Sequence, residues 1–415
     1  MAATQADLAR LDAILKDRPI VDAIQDALNT ATPFLERITQ TLTLSGRKGI
    51  FPVSFGVNEG VYARADKGTF GDSQVDQPEL AEVTAKFIYA LFEISGPTMS
   101  ATRDTPGAFE EALSLSLENT ITGMRLDMSR QAIGDGTGKI GLISSTPGSG
   151  TDLDMDSPYG LTRYKSGRPV RNVVRNNMAL DVLDAASPAT KHGDNVVVSS
   201  VTHNATDTTC VVSTDASMTD ARDGDFVTRA GNYNYEIEGF LGAVDTAGSY
   251  MGITRSGKTG WQGTLVDAAD GGASAVPLSP DHLRDTADLI MEETGEAPGF
   301  IVCNYKQRRN VYNLFAPQIR RAPMVLPAGL RESTLEFDDM PVVVERYFPP
   351  EHIAMVNSRF WAHAIDKDVE WISGLNGTVL HFHRTADLFT AVLRTYRNMV
   401  CRYPATNGII YGLEE

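Results

Sequence analysis

The segment Gly134-Asp-Gly-Thr-Gly-Lys-Ile-Gly141 holds the residue types of a phosphate cradle. A Walker-type loop needs G-x-x-x-x-G-K-[S/T] after a strand and before a helix, so that backbone N–H groups and the helix N-terminus converge on the anion. Here the spacing is one residue short, Ile140 stands where the metal-holding hydroxyl belongs, and the preceding segment has a helical pattern. A dinucleotide fingerprint lacks its third glycine when counted from Gly134, where Lys139 stands. Counted from Gly136 the spacing is met by Gly138 and Gly141, but the fingerprint also needs a strand in front, and the preceding segment is helical in pattern. Gly134, Gly136 and Gly138 are therefore read as a structural turn, and no cofactor is expected. Asp152, Asp154 and Asp156 alternate like the start of a calcium loop, but the sixth place lacks glycine and Arg163 stands where a bidentate Glu belongs. His381 and His383 would share one face of a strand, as a zinc pair could, with no Cys or third His at ligand spacing. Neither a G-x-S-x-G elbow nor an H-E-x-x-H helix occurs, so neither catalysis nor a metal is expected.

The elements around these residues explain the glycines. From Thr105 to Ile133 the chain reads "TPGAFEEALSLSLENTITGMRLDMSRQAI", with Thr105 as N-cap, Pro106 at the first helical position and Glu110 and Glu111 near the positive dipole end. Phe109, Leu113, Leu117, Thr120/Ile121, Met124 and Met128 recur at steps of three and four and form one apolar stripe. The spacing predicts a single helix ~40 Å long, with Gly134 as the left-handed residue that ends it.

A chain of 415 residues that is 42% hydrophobic can bury a large core in two or three domains. Its apolar runs are far shorter than the ~20 residues a membrane helix needs, and the N-terminus "MAATQADLARLDAILKD" has no hydrophobic signal core. Cys210, Cys303 and Cys401 are few, odd in number and widely spaced, which argues for synthesis in a reducing cytoplasm. The net charge of −16 argues against sequence-specific nucleic-acid binding. The basic clusters Lys306/Arg308/Arg309 and Arg320/Arg321 read as a solvated or subunit-pairing face.

Residues 3–30 carry two short amphipathic helical patterns, too small to fold alone. Residues 45–80 are rich in Gly, charge and isolated aromatics, and Ala81–Ser95 reads as one long strand; together they predict a two-stranded arm, which is marginal unless it lies on something. From Gly193 to about Gly260, short strands recur ("NVVVSSV", "TTCVVST", "DFVTRA", "YEIEGFLGAV", "YMGITR"), separated by turn signals. From Ser279 onward helices and strands mix, which makes the chain α+β.

This succession, with a long strand ending "YALFEISGPTMSAT", a helix closed by "RQAIGDGTGKIG" and a C-terminal "RTYRNMVCRYPATNGIIYGL", resembles the major capsid proteins of tailed bacteriophages. The resemblance implies an α+β, Hong Kong 97-type fold with an N-terminal arm (1–44), an extended loop (45–98), a peripheral domain with the spine helix (99–192), an inserted β-rich module (193–278), an axial domain (279–385) and return strands (386–415). It further implies self-assembly through hexamers and pentamers into an icosahedral virion capsid, built in the bacterial host cytoplasm. That capsid encloses double-stranded DNA without sequence-specific binding. Scaffolding, portal and decoration proteins are further implied partners, and no membrane is involved. Arg47, Lys48, Phe51 and Phe55 of the arm, with Arg308, Arg309, Arg320 and Arg321, become candidates for subunit contact. Two alternatives stay open at this point: an encapsulin-like nanocompartment shell, and a carbohydrate- or nucleotide-binding enzyme with a β-rich accessory domain.

Overall fold

The computed structural model describes residues 33–44, 46, 48–56, 61–69, 78–95, 106–145, 151–161, 168–203, 210–218, 220–272, 274–315, 335–373, 379–382 and 387–414. The expected amphipathic patterns of residues 3–30, the N-cap Thr105 and the side chains of Phe109, Glu110, Glu111 and Leu113 lie outside the described residues. Among the described residues no helix is long and apolar enough to cross a membrane.

After a one-turn helix α1 (Pro33–Glu36), the dominant helix is α2 (Pro106–Ile133), 28 residues with proline in its first position. Its stripe sits where periodicity puts it: Met124 and Met128 are buried, and Leu117 packs against the cluster of Ile94, Leu380 and Ala391. From Met128 to Ile133 every residue is buried, including Ser129, Arg130 and Gln131. The helix is therefore amphipathic in its middle and enclosed all round at its end.

One long sheet lies against α2. Strand β1 (Thr41–Thr43) runs parallel to β18 (Trp361–Trp371), which pairs antiparallel with β20 (Leu388–Cys401); β4 (Lys86–Ser95) and β19 (His381–Phe382) pair with β20 in turn. Strands β2 (Lys48–Val53) and β3 (Glu79–Thr84) form a separate two-stranded sheet. The strand expected over Ala81–Ser95 is thus two strands, interrupted at Ala85, where the chain changes partner from β2 to β20.

A closed antiparallel barrel follows α2: β5 (Lys139–Ile143), β6 (Asp152–Asp156), β7 (Ala179–Leu183), β8 (Lys191–His203), β9 (Cys210–Thr214) and β10 (Phe226–Arg229), in the order β10-β5-β6-β9-β8-β7. Apolar side chains such as Leu153, Met155, Leu180, Val182, Val198 and Val212 are fully buried, and the short helix α3 (Arg168–Val173) contacts several of its strands. The segment expected as a strand at 235–244 instead carries one helical turn, α4 (Phe240–Ala243). "YMGITR" folds as the tight hairpin β11 (Ser249–Tyr250) and β12 (Ile253–Thr254), turned by Met251 at φ 49° and Gly252 at φ 80°.

The remaining sheet has the order β13 (Thr264–Asp267), β21 (Gly408–Tyr411), β17 (Ile353–Val356), β14 (Phe300–Cys303), β16 (Met340–Val344), β15 (Glu336–Phe337). Helices α5 (Pro280–Thr294) and α6 (Tyr305–Phe315) pack on it and close a second core of Leu283, Ile290, Val311, Met355 and Ile410. Ser279 Oγ caps α5 by accepting from His282 N, its own N–H donates in return to His282 Nδ1, and Gly295 at φ 71° ends the helix.

These pairings correct three expected divisions. The barrel begins at residue 139, not 193, so the boundary at 193 falls within β8. Residues 264–267 leave the β-rich module for the six-stranded sheet, while β18 leaves the axial region for the long sheet. Of the C-terminal strands, β20 returns to the long sheet but β21 lies in the six-stranded one. The reason is common to all three: strand partners lie far apart in sequence, where local pattern carries no information.

Candidate functional site

Gly134 does not take the expected left-handed conformation; its N–H still bonds Arg130 O at 3.1 Å, continuing the helical pattern, and the left-handed residues are Gly136 (φ 85°) and Gly138 (φ 82°). Asp135 accepts from Thr137 N at 2.9 Å and Thr137 Oγ1 at 2.6 Å, which sets the turn between them. A Cβ on Gly138 would stand 2.9 Å from Asn232 O, and one on Gly136 3.2 Å from Glu238 Cγ. Where a phosphate would need space, the loop meets the chain's own backbone and two carboxylates. Lys139 Nζ lies over the Phe226 ring at 4.9 Å. The order is helix, loop, strand, opposite to that of a phosphate loop.

Gly138→Val adds both φ strain and a backbone clash and is expected to cost roughly 1–3 kcal/mol, whereas Lys139→Ala loses a cation–π contact worth about 0.5–1 kcal/mol. Urea unfolding of the two variants, with ATP titration of the wild type, checks both; micromolar nucleotide binding that vanishes with Lys139→Ala would sink the structural reading of the loop.

Behind the loop lies a buried ionic cluster that sequence reasoning missed. Arg130, 1% exposed, pairs with Glu236 and with Asp127 at 3.1 Å; Arg229 holds the other Asp127 oxygen at 3.1 Å. Gln131 donates to Asp127 at 2.7 Å and accepts from Ile237 N at 3.2 Å, and Asn232 donates to Glu236 at 3.1 Å. Burial works against charge on Arg130, but Glu236 and Asp127 outweigh it and hold the guanidinium above its ordinary pKa. Burial likewise opposes Asp127, and Arg130 and Arg229 win, lowering its pKa. The cluster bolts the barrel's exit strand and the segment after it to the end of α2. Its signal in the sequence, opposite charges at Asp127 and Arg130 near the helix end, is indistinguishable from an exposed i,i+3 pair.

The N-terminal part of the described chain is held by a second unforeseen arrangement. Phe34 sits among Phe240, Trp361 and Phe300 at ring distances of 5.8, 6.2 and 6.5 Å. Next to it, Glu345 is 1% exposed, and among the described residues neither carboxylate oxygen has a side-chain partner. Burial pushes this carboxyl up to about 7, opposed by the amides of Tyr347, Phe34 and Arg346.

The arm candidates are engaged within their own chain. Lys48 pairs with Glu82 across the hairpin at 2.6 Å, Phe51 packs against the core, and Phe55 meets Trp261 edge-on at 5.7 Å with Lys258 over its ring. Lys258 also pairs with Glu79 at 2.5 Å, and Glu82 N bonds Met251 O at 2.9 Å. The hairpin base therefore rests on residues 250–261. Beyond it every residue of 61–69 is exposed, Val61 to 86%. Arg308 lies over Tyr305 at 5.7 Å and, like Arg309, is exposed on α6; Arg47, Arg320, Arg321 and His383 lie outside the described residues. Asp152, Asp154 and Asp156 line one face of extended β6 rather than a loop, and His381 bonds Ile372 O at 3.0 Å.

The architecture has relatives of known structure. The capsid asymmetric unit of cyanophage A-1(L) superposes with a TM-score of 0.53 at 11% identity over 93% of both chains. The chain has a Hong Kong 97-type capsid fold. The capsid of an empty GTA particle matches with a TM-score of 0.50 at 10% identity, over 92% of this chain and 91% of that one. No protein-family model and no curated protein matches the sequence. Within this capsid fold α2 is the long helix, and the closed barrel is built into its far end.

Proposed function

We propose that this chain is a major capsid protein, assembling through hexamers and pentamers into the icosahedral head that encloses the double-stranded DNA of a tailed bacteriophage. The observation that carries the reading is that both capsid neighbours align with nine-tenths or more of this chain and of their own. The arm supports it: a hairpin fixed at its base to its own subunit ends in nine exposed residues, 61–69, placed to lie on a neighbour. Repeated heterologous contacts of moderate strength close a shell and let misplaced copies leave. The net charge of −16 suits a container that must not adhere to packaged DNA. The six-stranded sheet with α5 and α6 is assigned to the capsomer axis, where exposed Arg308 and Arg309 would meet the next copy. Assembly takes place in the host cytoplasm, with scaffolding, portal and decoration proteins as further partners, and no catalytic step is assigned to the chain.

Electron microscopy of the purified protein tests this. Closed shells or five- and six-membered rings are expected; a discrete small oligomer with saturable binding of a sugar or nucleotide would replace the capsid reading with the enzyme one.

A further inference from the structure

Helices α5 and α6 lie on one face of the six-stranded sheet: Leu283 and Ile290 of α5 and Val311 of α6 share a core with Cys303, Met355 and Ile410. Helix α5 covers β13 and β21, and α6 covers β14 and β16, so the two stand toward opposite ends of the sheet. About three strand spacings, ~14 Å, separate them. Their outer faces carry opposite charge. On α5, Asp281, Asp285, Asp288 and Glu292 follow one another at steps of four, three and four, all exposed, with Arg284 and Leu289 on the flanks of the stripe. On α6, which has no acidic residue, Tyr305, Arg308, Arg309 and Tyr312 form one exposed stripe.

Each stripe works against its own helix. Like charges three and four residues apart repel along α5, and Glu292 and Glu293 occupy the last turn, which favours cations. Lys306 and Arg308 stand in the first turn of α6, which favours anions. Among the described residues none of the four stripe acids, nor Arg308 or Arg309, is in an ion pair. The subunit's own α6 is more than a Debye length of ~8 Å from α5, too far to offset this cost. We propose that the acidic stripe of α5 seats the basic and aromatic stripe of α6 of a second copy, and that this pairing forces the contact to be head-to-tail. A two-fold dimer through these faces would set α5 on α5 or α6 on α6, charge against like charge. A head-to-tail contact leaves one free α5 and one free α6 at the ends of every chain of copies, and only a closed ring satisfies both. The inference rests on the shell-forming reading above and adds to it the partner surface of Arg308 and Arg309.

Charge reversal tests it. One variant carries Arg308→Glu and Arg309→Glu; the other carries Asp285→Lys, Asp288→Lys and Glu292→Lys. All five side chains are exposed, so subunit melting should stay at the wild-type value while rings and shells fall at least tenfold in each variant alone. Mixed one to one, the two should assemble again, now into rings with an even number of subunits, because each reversed face finds its opposite only on the other variant and a five-membered ring cannot alternate. If either variant fails to fold, Asp288→Cys with Arg309→Cys, treated after assembly with a short bis-maleimide, decides by a ladder of covalent oligomers, the three native cysteines being buried. Wild-type yield from either variant alone, no recovery in the mixture, or links confined to one chain would each overturn the pairing and leave the capsid reading standing. Wild-type protein that forms neither rings nor shells would remove the capsid reading, and this one with it.

Discussion

Arg130→Met is expected to destabilise the subunit by about 3–5 kcal/mol, because it removes the cation that pairs with Glu236 while the carboxylate stays buried. Asp127 keeps Arg229 at 3.1 Å, so the main damage falls on Glu236, which is 3% exposed and among the described residues would retain Asn232 as its side-chain partner. A domain is stable by only ~5–15 kcal/mol, so the loss should appear as insoluble protein or a transition at much lower urea. Arg130→Met combined with Glu236→Leu separates charge from shape: removing both partners should recover most of the loss, since a buried ion pair replaced by apolar groups is often neutral. Equal destabilisation of single and double variants, measured by urea unfolding, would show that the guanidinium matters for packing rather than for its pair.

Glu345 gives the second large effect, and it depends on pH. Its carboxyl is raised from 4.5 to about 7 in the folded chain, chiefly by burial. A raised acid favours folding most below its unfolded pKa, so the contribution is complete below 4.5 and declines as pH rises to about 7. At ~1.4 kcal/mol per pH unit over that window, wild-type subunits should lose about 3 kcal/mol between pH 4.5 and 7.5 through this group. The neighbours of the carboxyl are Arg346, Tyr347 and Tyr159, of which the tyrosines stay neutral across the window because burial raises their pKa values. Glu345→Gln keeps the shape and removes the titration, so its stability should vary with pH by about 3 kcal/mol less than that of the wild type. Denaturant unfolding of dispersed subunits at the two pH values reads this directly, and parallel curves for the two proteins would place the group in contact with water.

Elements governed by local chemistry were legible. The 3.6-residue period of Leu117, Met124 and Met128, with Pro106 at the start, gave α2 to within one residue of its described span. Glycine spacing gave a turn after the helix, although the left-handed positions are Gly136 and Gly138 rather than Gly134. There the helical bond to Arg130 O persists one residue longer, and the Asp135 side chain builds the turn. The arm was legible as a two-stranded element because residues 45–80 are rich in Gly, charge and isolated aromatics and 81–95 read as a strand, but its docking on Trp261 and Lys258 was not, since contacts across about two hundred residues leave no local trace.

The sequence by itself determined the α+β class, the long helix and its glycine exit, the hairpin arm, and the absence of a working phosphate-loop pattern at Gly134–Gly141. Each depends on residue types at fixed short spacing, and backbone sterics act at that range. Tertiary structure alone decided that residues 139–229 close into a barrel, that β21 joins β13 rather than the long sheet, and that Arg130 and Glu345 are buried. A charged side chain looks the same in sequence whether water or another side chain solvates it. Only the closure of the barrel against α2 removes the water, and with it comes the cost that Arg130, Glu236 and Asp127 offset by pairing with one another.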